Sequence, residues 1–63
     1  SIPFDTKVIQ ESENLLWQLK DEGLTIGLVD LLIAAESRIH NAAIFSFDKV
    51  FDRLYKHGLI LIL

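Results

Sequence analysis

The sequence predicts an α/β fold in the order α-α-β-α-β, with a short parallel sheet that another segment or chain must complete. Three observations lead there. Three stretches carry apolar residues at helical spacing, bounded by residues that start and stop helices. Two short apolar runs, at 42–47 and 59–63, flank the third of these stretches, as strands flank a crossover helix. Finally, 51% of the 63 residues are hydrophobic, more apolar surface than so small a globule hides by itself.

Each element has its own local reasons. Residues 5–22 read as an amphipathic helix, with Asp5 as N-cap after Pro3 and Gly23 as the stop. At 100° per residue Val8, Leu15 and Leu19 share a line, flanked by Ile9 and Leu16. Trp17 falls on the opposite side, where it is either a tolerated surface residue or an anchor for another chain. Residues 28–40 form a second helix ended by Asn41, a residue tolerant of the left-handed cap conformation. Its apolar residues cover most of its circumference, the pattern of a buried helix. Residues 42–47 read as a strand, 48–57 as a short helix with Val50, Phe51 and Leu54 inward, and Gly58 as its stop. Residues 59–63 form a second strand without alternation, which indicates cover on both faces. Strand, helix and strand make a βαβ unit with a right-handed crossover. Two parallel strands leave both sheet edges unpaired. The missing strands must come from a longer chain, from a copy or from a partner.

Composition narrows the chemistry. There is no Cys, and His40 and His57 are the only histidines, so disulfides and thiolate zinc sites are excluded. A chain of this length commonly needs oligomerisation or a bound metal for stability, which leaves partner chains or a carboxylate-held ion. No run is long enough to span a membrane and no signal peptide is evident, so a cytoplasmic protein is expected. A net charge of −3 disfavours a general electrostatic grip on nucleic acid. It permits an enzyme that holds metal ions against a phosphate. The chain contains no Met; Ser1 follows either a removed initiator or a cut within a longer chain.

Asp30 stands out among the charged residues. It lies within Leu28-Val29-Asp30-Leu31-Leu32, one turn into a helix expected to be buried, where an ion needs a partner, a metal or water. Ala34 and Ser37 share its face and leave room beside it. The plainer account is a first-turn Asp favoured by the helix dipole. Asp48 follows the first strand, at the carboxyl end where open α/β sheets bind ligands, but an Asp opening a helix is also an ordinary N-cap. Ser46 could cap that helix or hold a metal-bound water. Magnesium is commonly held by one or two carboxylates plus waters and phosphate oxygens, which Asp30 and Asp48 supply if they converge. Arg38, Lys49, Arg53 and Lys56 are candidate phosphate contacts, or solvated helix faces.

The run Gly27-Leu28-Val29-Asp30-Leu31-Leu32-Ile33-Ala34-Ala35 resembles the Asp-x-x-Ile-Ala-Ala segment of PIN-domain proteins, especially VapC-type toxins. The later run Ile44-Phe45-Ser46-Phe47-Asp48-Lys49-Val50-Phe51 looks like their strand followed by Ser/Thr-x-Asp-x-x-Phe. His40-Asn41 falls where many members carry His-Gly, and residues 59–63 look like their closing strand. The resemblance covers nearly all of residues 1–63 as a C-terminal part of such a domain, its informative region being 27–51. It implies an endoribonuclease directed at single-stranded RNA and dependent on Mg²⁺ or Mn²⁺. Asp30 and Asp48 would be catalytic metal ligands, with Ser46 in the accessory position. The family also places an Asp after an opening strand and a Glu on an early helix, and neither element is present in 1–63. The implied protein is therefore half of a toxin–antitoxin ribonuclease, inactive as these 63 residues, with an antitoxin as a partner. The other reading is a truncated PIN-like module that serves oligomerisation without catalysis; a homo-oligomer or a missing N-terminal half would complete the sheet.

Overall fold

In the computed structural model, residues 5–63 are described; the expected role of Pro3 lies outside them. Asp5 opens the first helix, α1 (Thr6–Asp21), accepting a hydrogen bond from the Lys7 backbone N–H at 2.9 Å. Val8, Leu15 and Leu19 are buried along its inner line. Ser12 is buried among them and donates its hydroxyl to the Val8 carbonyl at 2.7 Å, so the polar group carries no unpaired atom. The second helix, α2 (Leu28–Ile39), begins at Gly27 without a side-chain cap. It packs on α1 through Leu31 and Ala34. Strand β1 (Ala43–Ile44), helix α3 (Lys49–Lys56) and strand β2 (Leu61–Ile62) complete the order α-α-β-α-β.

All three helices end in one way. After α1, the Gly23 N–H donates to the Lys20 carbonyl and the Leu24 N–H to the Leu19 carbonyl. After α2, Asn41 and Ala42 donate to Arg38 and Ser37, and after α3, Gly58 and Leu59 donate to Tyr55 and Leu54. This paired pattern is the Schellman termination, which requires a left-handed residue at its centre. Gly23, Asn41 and Gly58 sit at φ 70°, 51° and 73°. The expected stops are therefore the actual ones. Leu19 with Leu24, and Leu54 with Leu59, also join the apolar cluster at these ends.

The two strands pair in parallel, Ala43 opposite Leu61 and Ile44 opposite Ile62. A further bond runs from the Leu63 N–H to the Ile44 carbonyl at 3.0 Å. The fold is mixed α/β, three helices and a two-stranded parallel sheet. A single core draws on every helix: Leu15 and Leu19 from α1, Leu31 and Ala34 from α2, and Phe51 and Leu54 from α3 meet Ile60 before β2. No helix among the described residues is long and apolar enough to cross a membrane.

Three expectations change. Both strands are shorter than 42–47 and 59–63, because each has only one neighbour to pair with and the chain turns away once that pairing ends. Residues 59–63 do not have cover on both faces: Ile60 is buried, while Leu61 and Leu63 are exposed. Nor is α2 buried all round, since Leu28, Val29 and Ile33 lie open. Helix α1 and strand β1 cover part of α2, and among the described residues nothing covers the face of Leu28, Val29 and Ile33. Ile9 and Leu16, which flank the inner line of α1, are exposed as well.

Candidate functional site

Asp30 is the third residue of α2, in the first turn of a helix whose N-cap has no side chain. Its carboxylate leans back over Gly27: a Cβ added there would lie 3.9 Å from Asp30 Oδ2. Asp30 is half-buried, not enclosed by leucines, because Leu28 and Val29 before it point to solvent. Among the described residues no side chain bonds to it. Ala34 and Ser37, expected to leave space beside it, are themselves packed in the interior, and the Ser37 hydroxyl donates to the Ala34 carbonyl at 2.8 Å.

Asp48 is the N-cap of α3. Its Oδ1 accepts from the Val50 N–H at 3.0 Å, the ordinary capping bond for this residue type. Ser46 stands directly before it, its Oγ accepting from the Asp48 N–H at 3.0 Å. These two bonds set the turn between β1 and α3. Among the described residues they leave Oδ2 of Asp48 without a hydrogen-bond partner, and the Ser46 hydroxyl makes no other bond. Ser46 and Asp48 are thus brought together by direct contact, and Asp30 bonds to neither.

Strand β1 runs beside α2. Leu32, Ile33, His40, Ala42 and Ile44 line one open groove, so the chain leaves the end of α2, reverses at Asn41 and runs back beside the helix. The donors are all carboxylate or hydroxyl oxygens, the set a hard divalent cation takes. A magnesium ion held by one or two carboxylates takes its remaining positions from waters and phosphate oxygens. Among the described residues no three His, Asp or Glu side chains converge on a point.

The candidate phosphate contacts divide. Arg38 is not one: its Nε meets Glu11 at 2.8 Å and its Nη1 donates to Gln18 at 2.6 Å, tying the last turn of α2 to α1. It lies at the helix end opposite Asp30, away from that carboxylate. Lys56 pairs with Asp52 at 3.1 Å along α3. Lys49 and Arg53 are exposed and make no ion pair among the described residues. They sit four residues apart on one face of α3. Trp17 is exposed, with Lys20 Nζ 5.3 Å from its ring centre, a contact that occupies one face of the indole.

A feature beside Asp48 was overlooked in the sequence. Phe45 and Phe47 stack edge to face at 5.5 Å between centroids, with rings inclined at 71°, and they are 70% and 93% exposed. Phe-Ser-Phe-Asp was the available signal, since alternate residues of an extended segment share a side.

Comparison with known proteins gives one result. No curated protein matches the chain, and no solved structure does. A family model for the PIN domain matches residues 1–57, and by that match over most of its length the chain belongs to the PIN domain family.

Proposed function

We propose that this protein is part of a Mg²⁺- or Mn²⁺-dependent endoribonuclease of the PIN type, the toxin of a toxin–antitoxin pair, acting on single-stranded RNA in the cytoplasm. Family membership speaks for nuclease chemistry in general, and PIN domains are as a class dependent on divalent metal. The observation that carries the reading is Asp30: a half-buried carboxylate with no side-chain partner among the described residues, lying close over Gly27. An ionised group in that position is satisfied by water or by a ligand, and is available to either.

The residues divide the work as follows. Asp30 offers an unshared carboxylate from a rigid helix end. Asp48 offers Oδ2, its orientation fixed by the cap bond through Oδ1. Ser46 holds the turn through the Asp48 N–H and presents its hydroxyl proton to a water or a phosphate oxygen. When bound, the metal supplies an activated water and positive charge against the phosphodiester. Lys49, next to Asp48 and without an ion pair among the described residues, neutralises a flanking phosphate. The remaining acidic groups of such a site, and the strand that pairs the open sheet edge, come from a segment or chain beyond these residues; residues 1–63 serve as the C-terminal part of the domain.

The test is substitution in the complete protein. Asp30→Asn and Asp48→Asn should each abolish Mg²⁺-dependent cleavage of single-stranded RNA, a loss of at least about a hundredfold for a metal-site group. Cleavage that survives either change defeats the proposal, as does robust turnover by residues 1–63 alone.

A second reading is favoured by a specific observation. The described residues hold no three-membered acidic cluster and leave Leu28, Val29, Ile33, Leu61 and Leu63 open. A non-catalytic PIN-like module that assembles through these faces, as a homo-oligomer or with an antitoxin, has the same appearance. A stable monomer in sedimentation would count against it.

A further inference from the structure

We propose that Phe47, backed by Phe45, is a stacking platform for an unpaired base of single-stranded RNA, and that Lys49 and Arg53 carry the adjoining phosphates. The inference rests on the nuclease reading above and assigns it a substrate-binding surface.

Four features point the same way. Phe47 is the most exposed large apolar residue described, and it directly precedes Asp48. Phe45 meets it edge to face, so one ring braces the other while leaving aromatic surface free. The two rings stand at the carboxyl end of β1, where the chain passes into α3, the position at which open α/β sheets take ligands. Lys49 and Arg53 then lie on one face of α3, exposed and without carboxylate partners among the described residues. In a chain of net charge −3, two cations without an ion pair among the described residues follow closely in sequence on two open aromatic rings.

That combination suits one class of partner. Single strands are held by stacking bases on aromatic faces while cations follow the backbone. A duplex keeps its bases stacked and offers no face to Phe47. The aliphatic surface on α2 lacks both cations and rings, so it is a different kind of surface. A protein partner at the Phe pair would leave Lys49 and Arg53 unexplained.

The experiment uses the complete protein in EDTA, so that binding is read without cleavage. The probe is a single-stranded RNA oligonucleotide carrying 2-aminopurine, whose fluorescence is quenched on stacking. Phe47→Ala should weaken binding about ten- to a hundredfold and relieve the quench, the range seen for removing a stacked aromatic. Phe47→Trp should retain both. Lys49→Gln with Arg53→Gln should flatten the dependence of log affinity on log salt by about 1.4, at ~0.7 per single-strand phosphate contact. Circular dichroism on each variant separates loss of binding from loss of fold.

Unchanged affinity and quench in Phe47→Ala would overturn the platform. So would a change confined to the sedimentation of that variant, which would make the rings a protein contact. The nuclease reading fails separately: binding that depends on Phe47, with cleavage indifferent to Asp30→Asn, supports the platform and removes the catalytic assignment. Cleavage lost in Asp30→Asn with binding indifferent to Phe47 does the reverse.

Discussion

The two halves of this chain are held together by different means. Helices α1 and α2 meet along a continuous apolar seam, and at its end Arg38 binds both Glu11 and Gln18 on the other helix. The β1–α3–β2 half has one inward helical face, Phe51 and Leu54, and a sheet of two residues per strand. Phe45, Phe47, Leu61 and Leu63 stand open around that sheet. A helix pair can satisfy its backbone within each helix, whereas a strand needs neighbours on both edges. The first half is therefore finished in its backbone pairing, although Leu28, Val29 and Ile33 stay open on α2, and the second has unmet pairing at its strands.

The largest expected effect tests whether the halves are one cooperative unit. Leu15 in α1 and Leu54 in α3 are both fully buried, and truncating such a side chain to Ala costs about 2–5 kcal/mol. Either Leu15→Ala or Leu54→Ala should abolish the thermal transition of both halves, followed by far-UV circular dichroism and by amide exchange. Exchange protection that persists in α1 and α2 of the Leu54→Ala variant would break the comparison into two independent units.

A smaller effect sharpens it at Asp48, where the cap bond and the proposed metal ligation share one side chain. Asp48→Ala should lower stability by about 1 kcal/mol through loss of the α3 cap. Asp48→Asn keeps a capping oxygen and should leave stability nearly unchanged while removing the charge a cation needs. Equal destabilisation by both, measured in denaturant unfolding, would mean that the carboxylate charge and not the cap bond matters for folding.

The least costly change lies in the finished half. Arg38→Ala should lower stability by at most about 1 kcal/mol, as for a partly exposed ion pair. The effect should shrink with added salt. An unaltered denaturation midpoint at low salt would show that the apolar seam alone joins α1 to α2.

How much of this was legible in advance differs by residue. Asp5, Gly23, Asn41, Asp48 and Gly58 were readable as helix ends, and the structure uses each of them so. Val8, Leu15 and Leu19 were readable as an inner line for the same reason. A cap or a helical face depends on neighbours within a turn or two, so its physics is contained in the string. The order of elements and the parallel pairing followed from these boundaries.

Other features depended on distant parts of the chain. Leu28, Val29 and Ile33 have the composition of a buried helix and lie open, because burial requires a second surface that no local pattern supplies. Arg38 passed for a phosphate contact until α1 brought Glu11 and Gln18 against it. Asp30 was expected to be enclosed, yet it stands half-exposed at a bare helix start. Phe47 reads as the last residue of a strand and is almost wholly in solvent. Local conformation is set by steric and hydrogen-bond preferences between near neighbours, so it is written into consecutive residues. Exposure and pairing belong to the whole packed arrangement, and only folding in three dimensions assigns them.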